Sequence, residues 1–190
     1  PDVLAKSLNG YFISRNDLVN RWGNVISSYL ALPGLVGFWP MGSIQRSTGN
    51  VYDLSGQGRT LTYNGNPTYN TYNSFVPYVD FDGTGDYLSR ADETDLDILG
   101  TETIYASAVR GLTVGGWFWA NEATATDGLI GKWTESGNQR SYLFLSVSDT
   151  FRLAISSNGT TTTQFSHTST FATGQWYFAV GKFEPSTQMS

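Results

Sequence analysis

Three short segments in a fixed order constrain the fold of this chain more than any other feature. Leu35–Met41 is an apolar run, Asp53–Gly58 is a turn rich in Ser and Gly, and Val79–Leu88 is a strand that enters a Gly-rich turn. At the start of the last segment apolar and acidic residues alternate with a period of two, which is typical of a strand with one buried face. The order predicts short antiparallel strands joined by tight turns.

The composition favours the same class of fold. The chain has 11 Tyr, 11 Phe, 6 Trp and 21 Gly, and only 14% of its residues are charged. Aromatic residues are enriched in strands, and Gly is enriched in the turns that join them. At 190 residues the chain is long enough for one all-β domain with a substantial core. It contains no Cys, which excludes disulfides and thiolate metal sites.

Together the ordered motifs resemble the opening of a laminin-G-like, concanavalin A-like jelly-roll domain of the lectin and glucanase family. Leu112–Phe118, Leu129–Trp133 and Gly174–Val180 are similar to later strands of that family, so the resemblance covers Leu35 to Phe183. It implies an antiparallel β-sandwich over residues 35–190. It also implies a module that binds glycans or proteins outside a cell, on a cell surface or on a virion.

The first 34 residues show a different pattern. From Asn16 onward Leu18, Trp22 and Tyr29 recur at helical spacing, and Pro33–Gly34 ends the run. We expect a separate N-terminal segment with one short amphipathic helix. After it, alternation and turn residues predict the following strands: Leu35–Pro40, Thr60–Tyr63, Pro77–Phe81, Tyr87–Ser89, Leu112–Trp119, Leu129–Trp133, Ser141–Val147, Thr150–Ser156, Thr161–His167 and Trp176–Phe183.

Alternation within two of these strands indicates which side chains face the core. In Ser141–Val147 the apolar set is Leu143, Leu145 and Val147, and in Phe151–Ile155 the odd-numbered residues point inward. The next residues are expected to form a hairpin turn that ends in Asn-Gly, because that dipeptide tolerates positive φ values. Asn158–Thr160 is also a glycosylation sequon, although the turn accounts for it without a sugar.

Charge excludes one class of partner and suggests one cofactor. A formal charge of −5 argues against a nucleic-acid surface, which needs clustered Lys and Arg. Between Asp80 and Glu102 lie eight acidic residues and one basic residue. This stretch is either a solvated acidic edge or a calcium site, since carboxylates around a Gly turn suit a hard cation. The calcium interpretation uses Asp53, Asp82 and Asp86.

The segment from Thr62 to Tyr78 is rich in Tyr and Asn and is predicted to be a loop. Tyr and Asn side chains supply flat contact area and adaptable hydrogen bonds, which suits recognition of glycans and proteins. A loop that merely covers a sheet would have the same composition. As ligand-binding residues we predict Tyr63, Tyr69, Asn70, Tyr72 and Asn73.

One acidic motif has the spacing of a hydrolase site. On a strand Glu93, Asp95 and Asp97 would share one face, and the motif resembles the catalytic strand of laminarinase-like glycoside hydrolases. The last acid is Asp where that family usually has Glu, and the segment also reads as a short helical turn. We therefore expect no catalytic activity.

Two tryptophans leave a choice between core and surface. Trp117 and Trp119 have the same parity, opposite to the apolar residues Val114 and Phe118. An outward face would make them a stacking platform for sugar rings, and an inward face would place them in the core. We expect the core, because buried tryptophan is common in sandwiches.

These observations predict a non-catalytic recognition module with a glycan or protein ligand. The alternative is a structural or assembly protein of a virus particle or surface appendage, which forms a homo-oligomer or a larger assembly. No apolar run reaches the length of about 18 residues that a membrane span needs. Since the family's sheets continue beyond the strand at Trp176–Phe183, we expect further residues or a partner to complete the jelly roll.

Overall fold

A computed structural model describes residues 5–6, 12–13, 24–41, 44–45, 49–72, 76–93, 96–98, 111–137 and 139–184. Most of the secondary structure in these ranges is β, and every strand pair is antiparallel. The predicted all-β, antiparallel class is confirmed at this level. Residues 24–30 are helical, whereas residues 16–23 of the predicted helix lie outside the described ranges.

The strands are numbered in chain order. Their bounds are β1 Ala5–Lys6, β2 Phe12–Ile13, β3 Ile44–Gln45, β4 Asn50–Val51, β5 Leu61–Asn64, β6 Thr68–Tyr72, β7 Val76–Asp80, β8 Tyr87–Ser89, β9 Leu112–Trp119, β10 Thr126–Thr134, β11 Gln139–Val147, β12 Thr150–Gly159, β13 Thr162–Ser166 and β14 Trp176–Phe183. The predicted bounds of β8, β9 and β14 agree with the structure to the residue.

The chain divides into two compact units, Pro1–Ala91 and Asp92–Ser190, whereas the sequence patterns change at residue 34. The first unit holds a β1-β2 pair, a sheet in the order β3-β4-β5-β8 and the hairpin β6-β7. The second holds a sheet in the order β10-β11-β12-β13 and the pair β9-β14.

The core of the second unit lies between its two sheets. Phe144 of β11 and Leu153 and Ile155 of β12 are buried together with Ala179 of β14 and with Ile98. On β9 the residues that pack against this cluster are Leu112, Val114 and Phe118. Two antiparallel sheets that share an apolar core have the arrangement of a β-sandwich.

The structure corrects one predicted strand face and confirms another. On β11 the residues that face the opposing sheet are Tyr142 and Phe144, not the predicted set from Leu143 to Val147, of which Leu145 is buried on the opposite face. Phe144 is 2% exposed and its ring lies 5.9 Å from the ring of Phe151, centroid to centroid. On β12 the odd-numbered residues face the core as predicted.

A glycine allows β14 to approach the opposite sheet. A Cβ atom built on Gly181 would lie 3.2 Å from Cδ2 of Phe144 and 3.4 Å from Cβ of Leu153. The first separation is tighter than an ordinary carbon contact, so a side chain at this position would require Phe144 to move by a few tenths of an ångström.

In the first unit the predicted strand Leu35–Pro40 is not a strand. Its backbone instead forms hydrogen bonds with residues that are distant in sequence. The Phe38 N–H donates to Oδ1 of Asp53, and the Phe38 carbonyl accepts from the Leu54 N–H. The indole N–H of Trp39 donates to the Arg59 carbonyl at 2.6 Å. Buried Arg59 in turn donates from Nη1 to the Val36 carbonyl at 2.7 Å.

Candidate recognition surface

The predicted Tyr and Asn loop is mostly strand. Tyr63 is on β5, and Tyr69, Asn70 and Tyr72 are on β6, which pairs with β7 as a hairpin. The predicted ligand residue Asn73 lies outside the described residues. The segment is therefore regular secondary structure rather than the loop that its composition suggested.

Only part of the predicted Tyr and Asn set comes together. Burial, together with the neighbouring phenol of Tyr69, raises the pKa of Tyr63. Among the described residues, the buried hydroxyl of Tyr63 has no hydrogen-bond partner. Because side chains alternate along a strand, Asn70 points to the opposite face of β6 from Tyr69.

The carboxylate of Asp53, a predicted calcium ligand, accepts four hydrogen bonds, three from its own turn and one from Phe38. Oδ1 accepts from the N–H groups of Phe38 and Ser55, both at 2.9 Å. Oδ2 accepts from the Ser55 hydroxyl at 2.8 Å and from the Arg59 N–H at 2.9 Å. Burial acts to raise the pKa of Asp53, but these four bonds outweigh it, and the pKa is lowered.

The other two predicted calcium ligands also accept bonds from the backbone. Asp86 accepts from the Asn66 N–H at 2.7 Å and from the Asp82 N–H at 3.2 Å, and Asp82 accepts from the Thr84 N–H at 2.7 Å. Across the described ranges no cluster of three or more His, Cys, Asp or Glu side chains is arranged to hold a metal ion. Turn geometry thus accounts for Asp53, Asp82 and Asp86, and calcium binding stays a prediction.

A lysine that the sequence analysis missed supplies a counter-charge to the acidic stretch. Nζ of Lys132, on β10, lies 2.9 Å from Oδ1 of Asp92 and 2.7 Å from Oδ1 of Asp97. It also donates to the carbonyl of Glu93 at 2.6 Å. The sequence offered one indication of this ion pair, a single basic residue within the apolar strand Leu129–Trp133.

This ion pair bears on the hydrolase motif. Residues 91–93 and 96–98 are not in a strand, and the Leu96 N–H donates to the Glu93 carbonyl at 3.2 Å, which closes a turn. Asp97 is paired with Lys132, and Asp95 lies outside the described residues. The shared strand face that the motif requires is therefore not formed by Glu93 and Asp97.

Replacing Lys132 with Met should lower the free energy of unfolding by about 2 kcal/mol at pH 7, because Asp97 would keep a partly buried charge without its partner. Burial acts to lower the pKa of Lys132, but the hydrogen bonds and charges of Asp97 and Asp92 outweigh it, and the pKa is raised. Its contribution is thus complete below the unfolded value of about 10.4 and is lost as the pH rises through the folded pKa.

Urea titrations of both proteins at neutral and strongly alkaline pH test this expectation. The matched control is Lys182→Met, since the Lys182–Glu184 pair is exposed and should contribute no more than about 0.5 kcal/mol. Equal losses for the two variants at pH 7 would contradict the proposed role of Lys132.

The second unit displays an exposed aromatic surface on the outer side of β9 and β14. We call this surface the aromatic face and define it by five residues: Trp117, Trp119, Trp176, Phe178 and Val180. Trp117 is 63% exposed, Trp119 39% and Phe178 48%. The expectation that Trp117 and Trp119 lie in the core is wrong, because the even-numbered residues of β9 pack against the core and the odd-numbered residues point away.

Strand register arranges the rings of the aromatic face in two cross-strand pairs. Trp119 lies opposite Trp176, and Trp117 lies opposite Phe178. The ring centroids are 5.7 Å apart in the first pair and 5.3 Å apart in the second, with the planes tilted by 68° and 49°. Such tilted pairs are favourable aromatic contacts, so each ring is held by its partner.

Polar groups border the aromatic face and fix its ends. The indole N–H of Trp119 donates to Oδ1 of Asn121 at 3.0 Å, which orients that ring. At the other end Thr113 lies opposite Lys182, whose ammonium is 2.6 Å from Oε1 of Glu184. The charges of Lys182 and Glu184 cancel, so this ion pair adds no net charge to the border of the aromatic face.

Gly115 marks a close approach of the β9 and β14 backbones within the aromatic face. It precedes Trp117 by two residues on the same face of β9 and lies opposite Val180. A Cβ atom at Gly115 would be 2.5 Å from the carbonyl oxygen of Ala179, so the backbone there leaves no room for a side chain.

Comparisons with known proteins do not assign the chain to a family. No protein family, curated protein or solved structure matches the chain. The laminin-G-like resemblance therefore remains an expectation from the motifs. Within the described ranges, moreover, no helix combines the length and the apolar character that a bilayer crossing requires.

Proposed function

We propose that the chain is a non-catalytic recognition module that binds glycans through the aromatic face, on a cell surface or a virion. The observation that carries this proposal is the indole of Trp117, which is 63% exposed although it belongs to a regular strand. Exposed apolar patches rimmed by polar groups are typical of binding sites. A pyranose ring has a flat face of C–H groups, and an exposed indole offers it a matching apolar and π-rich surface.

The proposal includes the finer features of the fold. We propose the laminin-G-like jelly roll, with a short amphipathic helix ahead of it, on the order of the motifs from Leu35 to Phe183. The antiparallel sandwich of the second unit supports this topology. The surface is also compatible with a protein ligand, because Trp and Phe anchor many protein interfaces.

The test is a Trp117→Ala variant measured against a panel of neutral oligosaccharides. We expect the affinity of any glycan bound by the wild type to fall about 10- to 100-fold, or roughly 1.4–2.8 kcal/mol, because a central contact ring is removed. The stability should change by no more than about 1 kcal/mol, since the side chain is mostly exposed and loses only its surface pair with Phe178. Calorimetric titration gives the affinity and urea unfolding gives the stability.

The matched control is Phe165→Ala. Phe165 is 52% exposed on β13, in the other sheet, and should leave glycan affinity unchanged. Equal loss of affinity in both variants would overturn the assignment of the site. A wild type that self-associates through Trp117 and binds no glycan would instead favour the structural and assembly alternative.

A further inference from the structure

The side-chain amide of Asn158, near the end of β12, lies in an unusual hydrogen-bonding environment. Its Oδ1 accepts from the Thr160 N–H at 3.0 Å, from the Thr160 hydroxyl at 2.9 Å and from the Thr161 N–H at 2.7 Å. The two backbone donors identify this atom as the oxygen, because an amide nitrogen cannot accept from an N–H group. Three donors thus converge on one exposed carbonyl oxygen.

The neighbouring residue is the right nucleophile for that carbonyl. Gly159 follows Asn158 with φ at +78°, and its backbone nitrogen is separated from the Asn158 amide carbon by the few bonds that close a five-membered ring. Glycine has no side chain to obstruct this closure. An intramolecular attack also avoids the entropy cost of bringing two molecules together.

We propose that Asn158 is a site of self-modification, at which the folded chain promotes conversion of the asparagine to aspartate through a cyclic imide. The Gly159 nitrogen bonds to the Asn158 amide carbon, and the bond from that carbon to Nδ2 breaks. Nδ2 leaves as ammonia and takes the proton that the Gly159 nitrogen loses. Water then opens the ring at one of its two carbonyls, which yields aspartate or isoaspartate.

The three donors have a direct part in the first step. As the nitrogen attacks, negative charge develops on Oδ1, and donors already aimed at that oxygen stabilise it without reorganisation. The hydroxyl of Thr161 lies 3.2 Å from Nδ2, the leaving nitrogen, and is placed to exchange protons with it. The site therefore combines an oxyanion site, a leaving-group contact and a nucleophile without a side chain, although Gly159 is itself buried and pairs with Arg140 of β11.

A second Asn-Gly pair in the chain supplies an internal comparison. Asn64 is the last residue of β5 and precedes Gly65, and its Nδ2 donates to the Ser89 hydroxyl at 2.8 Å and to the Thr62 carbonyl at 3.2 Å. In the described part of the chain no donor reaches Oδ1 of Asn64. The two sites thus share the reacting dipeptide and differ in the stabilisation of the oxyanion.

The fold also discriminates between the two products. An aspartate at 158 keeps an oxygen for all three donors, whereas isoaspartate inserts an extra atom into the main chain where β12 turns toward β13. The turn is tied to β11 as well, because Nη1 of Arg140 donates to the Thr160 carbonyl at 2.7 Å. Aspartate is therefore the product that the folded turn accommodates.

The experiment follows both sites in the chain, produced in a host that does not glycosylate it. The folded protein is incubated at mildly alkaline pH and digested, and peptides containing residue 64 or 158 are weighed for loss of ammonia and gain of water. We expect Asn158 to react at least about tenfold faster than Asn64. A Thr160→Val variant should react about three- to tenfold more slowly at 158, less than the ~10² typical of an enzyme oxyanion donor because two backbone donors remain.

Denatured protein is the control, since both dipeptides then lie in unstructured chain and should react at similar rates. The inference is overturned if folded Asn158 reacts no faster than folded Asn64, or more slowly than Asn158 in the denatured chain. An unchanged rate in Thr160→Val, with the fold intact by circular dichroism, would likewise refute the role of the Thr160 hydroxyl.

Discussion

Replacing Phe144 with Ala should lower the free energy of unfolding of the second unit by about 3–5 kcal/mol. The side chain is 2% exposed, and its ring packs against that of Phe118 across the core and that of Phe151 on the neighbouring strand. Truncation removes this apolar contact and leaves a cavity that two sheets held in register cannot fill. The melting temperature should fall by more than about 10 °C, as a domain of this size loses several degrees per kcal/mol.

Urea unfolding followed by tryptophan fluorescence measures this loss. Phe165→Ala removes the same number of atoms from a half-exposed ring on β13 and should cost no more than about 1 kcal/mol. Similar losses in the two variants would show that the core does not lie between β9-β14 and the four-stranded sheet.

Replacing Asp53 with Ala should destabilise the first unit by about 2–4 kcal/mol, the second largest effect that the structure predicts. Four donors lose their acceptor at once, and charge-assisted bonds contribute more than neutral ones. The estimate is below the sum of four such bonds because the site is partly open to water, which replaces some of them.

The same carboxylate makes stability depend on pH. Its pKa is lowered in the folded chain, so its contribution is present above the unfolded value of about 3.9 and is lost as the pH falls through the folded pKa. The wild type should therefore lose stability as the pH falls below about 4. Asp53→Asn keeps one acceptor oxygen and cannot titrate, so its pH profile should lack this step. Parallel profiles for the two proteins would refute the role of Asp53.

Local patterns predicted most of the strands because alternation and Gly turns are properties of neighbouring residues. They failed at Leu35–Pro40, where the backbone bonds to groups about 15–23 residues away, at Asp53 and Arg59. They also misassigned β11, because both of its faces are apolar and both carry buried residues, so that alternation cannot say which face meets the opposing sheet.

The sequence predicted one strand of the candidate site but not the other. Alternation correctly separated Trp117 and Trp119 from the core residues of β9, but it could not say which set pointed outward. Trp176 and Phe178 lie next to them only because β14 pairs with β9, which ends more than 50 residues earlier in the chain. No local sequence pattern encodes that pairing. The Tyr and Asn segment was wrongly predicted to be a loop, because its composition is typical of turns although its residues form a regular hairpin.

The long separation between β9 and β14 has a consequence for the chain as it is synthesised. The hairpins from β10 to β13 join strands that are neighbours in sequence and can form early. The pairing of Trp119 with Trp176 can form only after β14 has been synthesised. At about 5–20 residues per second, a ribosome needs roughly 3–13 s to extend the chain from the end of β9 to the end of β14. For those seconds a tryptophan-rich strand has no partner on β14, which makes the nascent chain a ready target for chaperones and for aggregation.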